Sequence, residues 1–315
     1  MYKGKKIAVV VPAFREERLI RKTIDSVPEY VDRIIAIDDC SPDRTLEILK
    51  RLKVKYGSRL IIIRHKTNQG VGASVFTGYE EALKLGMDIA VVMAGDAQMD
   101  PSDFESVVIP IIDDKADYTK GNRLLTGDVK KIMPGHRYIG NSILTILTKI
   151  ASGYWNVMDP QCGYTAINKR AMELVPFSKI FPRYGFPNDL LTKLNVYNLR
   201  VVDVPVKPVY GKEKSGISLV RYVPRLSYLL MKCFLWRLRE KYLIRDFHPL
   251  FLFYTFGFLS IITGGLLALY ILYLRLFKHN IATVASIILC AMLLMMGLQT
   301  IFFAMWFDMQ HNQGG

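Results

Sequence analysis

Residues 88–101 read DIAVVMAGDAQMDP, and the fold class turns on how this stretch is parsed. Ile89 to Met93 is an apolar run of buried-strand length. It stops at Gly95, and Asp96, Gln98 and Asp100 follow. A carboxylate and an amide oxygen at i and i+2, just past the C-terminal end of a parallel strand, can reach into one crevice. That crevice is where open α/β sheets bind their ligands. Oxygen ligands of this kind suit Mg2+ or Mn2+ held mainly by a substrate diphosphate. A metal–diphosphate site is therefore expected, although on this stretch alone a polar loop holding two acids explains the residues equally well.

Working outward, strand-like and helix-like segments alternate. Lys5 to Val11 reads as a strand stopped by Pro12, and Arg15 to Val27 as a helix with Glu16 and Glu17 in its first turn, where the helix dipole favours acids. Arg33 to Ile37 is a second strand ending in Asp38 and Asp39. Ser41 is expected to cap the next helix, with Pro42 at its first position. Leu60 to Ile63 is a third strand, and the turn Asn68 to Gly72 opens a helix over Ala73 to Leu85. This alternation predicts a parallel, doubly wound sheet with right-handed crossovers. Beyond Pro101 the expected elements are a helix over Phe104 to Ile112 interrupted at Pro110, a strand at Tyr118 to Gly121, a helix over Arg137 to Ala151, a turn at Asp159 to Tyr164 entering a strand, a short helix at Asp189 to Leu194 and a strand at Val201 to Val206.

The chain has 315 residues, 51% of them hydrophobic, a net charge of +14 and four cysteines. Its mean hydropathy of +0.19 is high for a purely soluble protein. The excess lies at 249–274 and 281–307, two nearly uncharged stretches each long enough to cross a bilayer and without a polar face for water. Basic residues crowd 207–245, just before the first stretch, against few acids. The positive-inside rule then places that segment, and everything before it, in the cytoplasm. Leu219 to Phe247 mixes apolar residues with Arg and Lys at helical spacing and suits helices lying on a membrane surface. Met1 to Lys6 leads straight into a strand, so no signal peptide is expected. The basic charge sits beside a span and no nucleic-acid motif is present, so nucleic acid is not an expected partner. Cys40, Cys162, Cys233 and Cys290 lie far apart, which fits a reducing compartment and excludes a Cys-rich zinc site.

In order, VVVPAFREE, IDDCSPD, NQGVGASVFTGY, GDAQMDP, GNR, DPQCGY and YGKEKSGIS, followed by two spans, resemble the inverting family 2 glycosyltransferases of the GT-A fold. Within these the closest likeness is to the polyprenyl-phosphate glycosyltransferases, which include dolichyl-phosphate mannose synthases and enzymes that glucosylate undecaprenyl phosphate. The resemblance covers nearly the whole chain. It implies an α/β fold: a GT-A, Rossmann-like, mostly parallel catalytic domain at 1–217, amphipathic surface helices at 218–247, two transmembrane helices at 248–308 and a tail at 309–315. It also implies a multi-pass membrane protein with a cytoplasmic catalytic domain, association between copies through the membrane helices, and a nucleotide-sugar donor, polyprenyl-phosphate acceptor and lipid bilayer as partners. The implied reaction moves a hexose from a nucleotide-sugar to the lipid phosphate, with Mg2+ or Mn2+ as cofactor.

Residue by residue, the resemblance assigns Pro12, Ala13, Glu16, Asp38, Asp39, Gly70, Gly72 and Gly95 to the nucleotide, and Asp96 and Gln98 to the metal. Mannose synthases commonly read Asp-Ala-Asp in the metal loop, and here Ala94 replaces the first acid, so coordination would rest on Asp96, Gln98, diphosphate and water. Arg123 and Arg137 match basic residues near phosphate. Asp159 matches the acid of an Asp-Pro-x-x-Gly turn facing the acceptor, and Asp189 lies where many GT-A enzymes carry their base, although Asn188 replaces an expected acid. Lys212, Lys214, Ser215 and Ser218 match a loop that closes over phosphate. A UDP-sugar is favoured by the two-span layout and the Asn68–Gly72 turn, with GDP-mannose as the other donor. The rivals are a processive polysaccharide synthase and a non-catalytic membrane scaffold. The first usually carries Gln-x-x-Arg-Trp, whereas Gln161 here is followed by Cys-Gly-Tyr; the second is kept open by Ala94.

Overall fold

The computed structural model describes residues 1–126, 135–207, 219–278 and 282–312. It contains two compact units, one running to Phe234 and the other beginning at Leu235.

The first unit is built on a seven-stranded sheet. Its strands are β1 (Ile7–Ala13), β2 (Arg33–Asp38), β3 (Leu60–Arg64), β4 (Ile89–Val92), β5 (Tyr118–Asn122), β6 (Thr165–Asn168) and β7 (Val201–Pro205), in the order β3-β2-β1-β4-β6-β5-β7. Alternate residues of β1 feed two cores: Ile7, Val9 and Val11 pack on one face, Ala8 and Val10 on the other. Both faces are covered, which is why these strands read as unbroken apolar runs. The helices are α1 (Ile20–Ser26), α2 (Thr45–Tyr56), α3 (Val71–Lys84), α4 (Phe104–Ile112), α5 (Gly135–Ser152), α6 (Lys169–Leu174) and α7 (Phe186–Val196). The chain then enters α8 (Leu219–Arg239).

The sheet is mostly parallel, as expected, with β1 to β4 parallel throughout and one strand reversed. β6 pairs antiparallel with both β4 and β5, while β5 and β7 are parallel. The register sets Val92 opposite Thr165 and Lys120 opposite Thr165. The start of β6 therefore lies at the same edge as the ends of β4 and β5. Reversal brings the segment leading into β6 to the rim where the other strands deliver the segments that follow them.

Three local expectations also fail. The first helix begins at Ile20 rather than Arg15. The backbone N–H groups of Arg15, Glu16 and Glu17 are taken by Ser41 Oγ at 3.2 Å, Thr45 Oγ1 at 2.9 Å and Asp43 Oδ2 at 3.3 Å. Those acceptors hold residues 15–17 as a docked turn, with Arg15 at φ +62°. Ser41 is thereby occupied and does not cap α2, which starts at Thr45; Asp43 Oδ1 accepts from the Thr45 amide at 3.2 Å and hydroxyl at 2.7 Å instead. Pro110 does not interrupt α4, which runs unbroken through it.

Asp117, just before β5, fastens three strands. Its carboxylate accepts from Asn168 Nδ2 at 2.9 Å, Arg200 N at 2.8 Å and Arg200 Nε at 3.3 Å.

The second unit holds the end of α8, a π-helical turn at Glu240–Arg245, α9 (Leu250–Phe277) and α10 (Val284–His311). Both α9 and α10 are long and apolar enough to cross a membrane. Small residues let them touch closely: a Cβ built on Gly257 would lie 2.7 Å from Ile301 Cγ1, and one on Gly297 2.7 Å from Ile261 Cγ1. Arg237 and Asp308 form a fully buried two-point ion pair, both contacts at 2.8 Å, and Tyr242 donates its hydroxyl to Asp308 Oδ1 at 2.5 Å.

Candidate active site

A cavity of about 400 Å³ opens at the sheet edge where β4, β5 and the start of β6 meet. Its walls include Pro12 from β1, Val71 at the start of α3, Asp96 and Gln98 after β4, Arg123 after β5, Gln161 to Tyr164 before β6, and Tyr184 to Pro187 around the start of α7. This volume suits a small-molecule ligand.

The loop after β4 is shaped by its own contacts. Gly95 N donates to Pro12 O at 3.1 Å, and a Cβ there would lie 3.3 Å from both that oxygen and Glu16 Cγ. Asp96 Oδ1 accepts from Gln98 N at 3.1 Å, a local turn that keeps both side chains at the cavity. Thr23 Oγ1 accepts from Ala97 N at 3.1 Å, and Ala94 N donates to the Met99 sulfur at 3.3 Å. Asp100 Oδ1 accepts from Ser102 N at 2.9 Å, and Asp103 Oδ2 accepts from Lys207 N at 2.7 Å, tying this loop to the end of β7.

Asp39 works as a clamp. Its Oδ1 accepts from Gln69 N at 2.8 Å and lies 2.7 Å from His65 Nδ1, while Oδ2 accepts from Gly70 N at 2.8 Å. The close approach at Gly70 and Gly72 is made by the chain itself. Gly70 has φ +100°, and a Cβ there would sit 2.7 Å from Arg183 Cγ; one on Gly72 would sit 2.8 Å from Pro182 O and Phe186 Cβ. Asp38 is fully buried and accepts from Ser41 N at 3.1 Å through Oδ1. Its Oδ2 faces Arg64 Nε at 3.4 Å without hydrogen-bond alignment. Ala13 O accepts from Asp39 N at 3.0 Å.

On the opposite wall Arg123 grips Asp159 through Nε to Oδ2 at 2.8 Å and an outer nitrogen to Oδ1 at 3.1 Å. Burial pushes the Asp159 carboxyl up, but the hydrogen bonds and charge of Arg123, joined by the charge of Lys120, outweigh it and hold it below the usual carboxylate range. Asp203, on β7, accepts from Asn122 Nδ2 and Met158 N, both at 2.7 Å, yet burial keeps its carboxyl above the usual value.

Of the residues singled out from sequence, Pro12, Asp96, Gln98 and Arg123 border one cavity. Ala13, Glu16, Asp38, Asp39, Gly70, Gly72, Gly95 and Asp159 shape the loops around it. Asp189 is not among the lining residues. Its Oδ2 accepts from Phe181 N at 2.9 Å, and Oδ1 faces Lys193 Nζ at 3.6 Å and Cys233 Sγ at 3.5 Å. The side chain of Arg137, and Lys212, Lys214, Ser215 and Ser218 entirely, lie outside the described residues. Sequence reasoning passed over Lys120, Asn122, Asp203, Tyr184 and Lys207. The one visible signal was a lysine in the middle of YTKGN, a short strand otherwise without charge.

Comparison with known proteins decides the family: the model of "Glycosyl transferase family 2" matches residues 8–175. The chain belongs to glycosyl transferase family 2. Among family 2 relatives, the UDP-N-acetylglucosamine–dolichyl-phosphate N-acetylglucosaminyltransferase of Methanococcus voltae is 32% identical over 218 residues, covering 65% of this chain and 86% of that protein. The polyprenol monophosphomannose synthase of Mycolicibacterium smegmatis is 23% identical over 213 residues, covering 67% and 79%. The fold is also that of glucosyl-3-phosphoglycerate synthase from Mycobacterium tuberculosis, solved in complex with Mn2+, UDP and glucosyl-3-phosphoglycerate, with a TM-score of 0.52, 19% identity and coverage of 74% of this chain and 80% of that one. The mostly parallel sheet is thus of GT-A type.

Proposed function

We propose that this family 2 enzyme transfers a sugar, with inversion, from a UDP-sugar to the phosphate of a membrane polyprenol. The observation that carries the reading is the convergence of Asp96, Gln98 and Arg123 on one cavity in a chain that ends in two helices of membrane-spanning length. The relatives add the chemistry: two of them are described by transfer to, or synthesis of, a polyprenyl or dolichyl phosphate, and one is described as using UDP-N-acetylglucosamine. The sugar is accordingly a hexose or its N-acetylamino form.

An acceptor that is already an anionic phosphate reduces the need for a strong general base. A phosphate oxygen attacks the anomeric carbon, the bond to the donor's diphosphate breaks, and UDP leaves. Two anions must approach each other, so the protein's task is to supply positive charge and orientation. Arg123, on the cavity wall, would contact phosphate, with Asp159 fixing the guanidinium beforehand. The clamped turn at Asp39–Gly72 and the start of α7 would hold the nucleotide. Among the described residues no group of three or more His, Cys, Asp or Glu could cage a metal. Asp96 and Gln98 nevertheless fit a hard divalent cation that takes most of its ligands from a diphosphate. Such a cation would neutralise charge developing on the departing UDP. Orientation in a multi-pass arrangement with the sheet domain in the cytoplasm follows from the basic segment before α9.

The test is transfer of radiolabel from a panel of nucleotide sugars to polyprenyl phosphate by the purified protein, scored as organic-soluble product. Product from a UDP-sugar supports the reading; its absence with every donor overturns it. Asp96→Asn is expected to lower turnover by about 100-fold or more, as loss of one electrostatic partner at a reacting centre does, with unchanged circular dichroism. Full activity of that variant in excess EDTA would remove the metal assignment.

A further inference from the structure

Beneath the cavity wall sits a cation that the proposed reaction leaves unused. Lys120 lies in the middle of β5 and is fully buried. Its Nζ donates to the Cys162 carbonyl at 2.7 Å, inside the 159–164 segment whose residues Gln161 to Tyr164 line the cavity. A buried ammonium is costly unless opposite charge compensates it. Here Asp159, from the segment leading into β6, and Asp203, from β7, support its charge, while Arg123 opposes it. The Cys162 thiol beside it is pushed up by burial and stays neutral. Asp203 also supports the charge of Lys149 on α5, which burial lowers.

The charges are graded by access to solvent. Arg123 borders the cavity with 30% of its side chain exposed, Asp159 is 8% exposed, and Lys120 is sealed. A guanidinium that turned toward an incoming phosphate would leave Asp159 a buried anion. Removing one member of a buried pair is strongly unfavourable when nothing replaces it. A second cation already in place removes that obstacle.

We propose that Lys120 is a positioning residue that keeps Asp159 ionised, and the 159–164 segment in place, when Arg123 exchanges the carboxylate for a substrate phosphate. The proposal rests on the transfer reaction above. In the free enzyme burial raises the Asp159 carboxyl and Arg123, followed by Lys120, outweighs it; with Arg123 engaged elsewhere, Lys120 is the cation left to oppose the burial. Burial draws Lys120 itself below the usual lysine value, so its charge is lost at a lower pH than that of a surface lysine.

The full-length protein carrying Lys120→Met is compared with wild type for kcat and kcat/KM across pH, using a UDP-sugar that wild type accepts and polyprenyl phosphate. The acid limb of kcat is expected to move up by about one pH unit, a roughly tenfold loss below the limb. The acid limb of kcat/KM for the donor reports the free enzyme, where Arg123 still pairs with Asp159, and moves far less. Equal movement of both limbs, or a uniform loss at every pH, assigns Lys120 a merely structural role and overturns the proposal. Should Lys120→Met not fold, Asp203→Asn supplies a second arm. It keeps the side chain's shape and the oxygen that accepts from Asn122 and Met158, and it removes the carboxylate that competes for Lys120. Loss of that anion acts on Asp159 directly in both states and through Lys120 chiefly when Arg123 is engaged, so the acid limb of kcat should move down further than that of kcat/KM, and equal movement or none overturns the proposal. Wild type that forms no lipid-linked product overturns the reaction and this inference together; wild type that turns over while both variants leave the limbs unmoved overturns the role of Lys120 alone.

Discussion

Gly70 shows how a residue chosen for one reason serves another. Paired glycines before a helix suggest a backbone open to a ligand, and the Asp38–Asp39 pair suggests carboxylates aimed at a nucleotide. The structure turns Asp39 onto the amides of Gln69 and Gly70 and brings Pro182 and Arg183 against the glycine. Gly70→Ala must place a Cβ 2.7 Å from Arg183 Cγ at a φ of +100°. Strain of this type costs about 1–3 kcal/mol. The expected result is a lower thermal midpoint together with a raised KM for the donor, because the displaced segment continues into Tyr184 to Pro187 of the cavity wall; an unchanged midpoint and KM would contradict it. Such pairing was illegible in sequence because both partners are loops, whose contacts leave no periodic trace. Asp96 and Gln98 were legible for the opposite reason: they directly follow a strand that its apolar run marks.

Among the elements, periodicity identified the strands, but it carries no direction, so the reversal of β6 could not be read. The early start expected for the first helix failed for a related reason, since acceptors from a distant loop compete for the amides of residues 15–17. Where strands of mixed direction meet, Asp117 joins β5 to the residues at the end of β6 and just before β7. Burial works against its charge, but the Arg200 amide and guanidinium and the Asn168 amide prevail, and its folded pKa lies below the ordinary value. The stabilisation is therefore complete above the unfolded carboxyl's pKa of about 3.9 and is lost as pH falls through the lower folded value. Thermal midpoints of wild type should decline below about pH 4, and Asp117→Asn should flatten that decline while lowering the plateau. An equally steep acid loss in the variant would deny Asp117 this part. In the second unit the Arg237–Asp308 pair ties the end of α8 to the end of α10, both side chains fully buried. Asp308→Ala strands the guanidinium and should cost about 3–5 kcal/mol, read as a lower unfolding midpoint in detergent. Arg237→Met combined with Asp308→Leu should recover most of it, and a double variant as weak as the single one would refute the account.

For the whole molecule, composition alone separated a sheet-forming part from an apolar end, because a bilayer-length run without charge needs no partner to be recognised. The catalytic half was less transparent. Its cavity is lined from seven places in the chain; the loop after β4 was placed by its position behind a strand, whereas 159–164 was singled out only by resemblance. The 159–164 segment precedes its strand, and only the reversal of β6 explains its presence at the rim. Asp96 and Gln98 follow β4, whereas 159–164 leads into β6, which pairs with that same strand. Because β4 and β6 share one hydrogen-bonded ladder, a slip in its register would shift both walls of the cavity together.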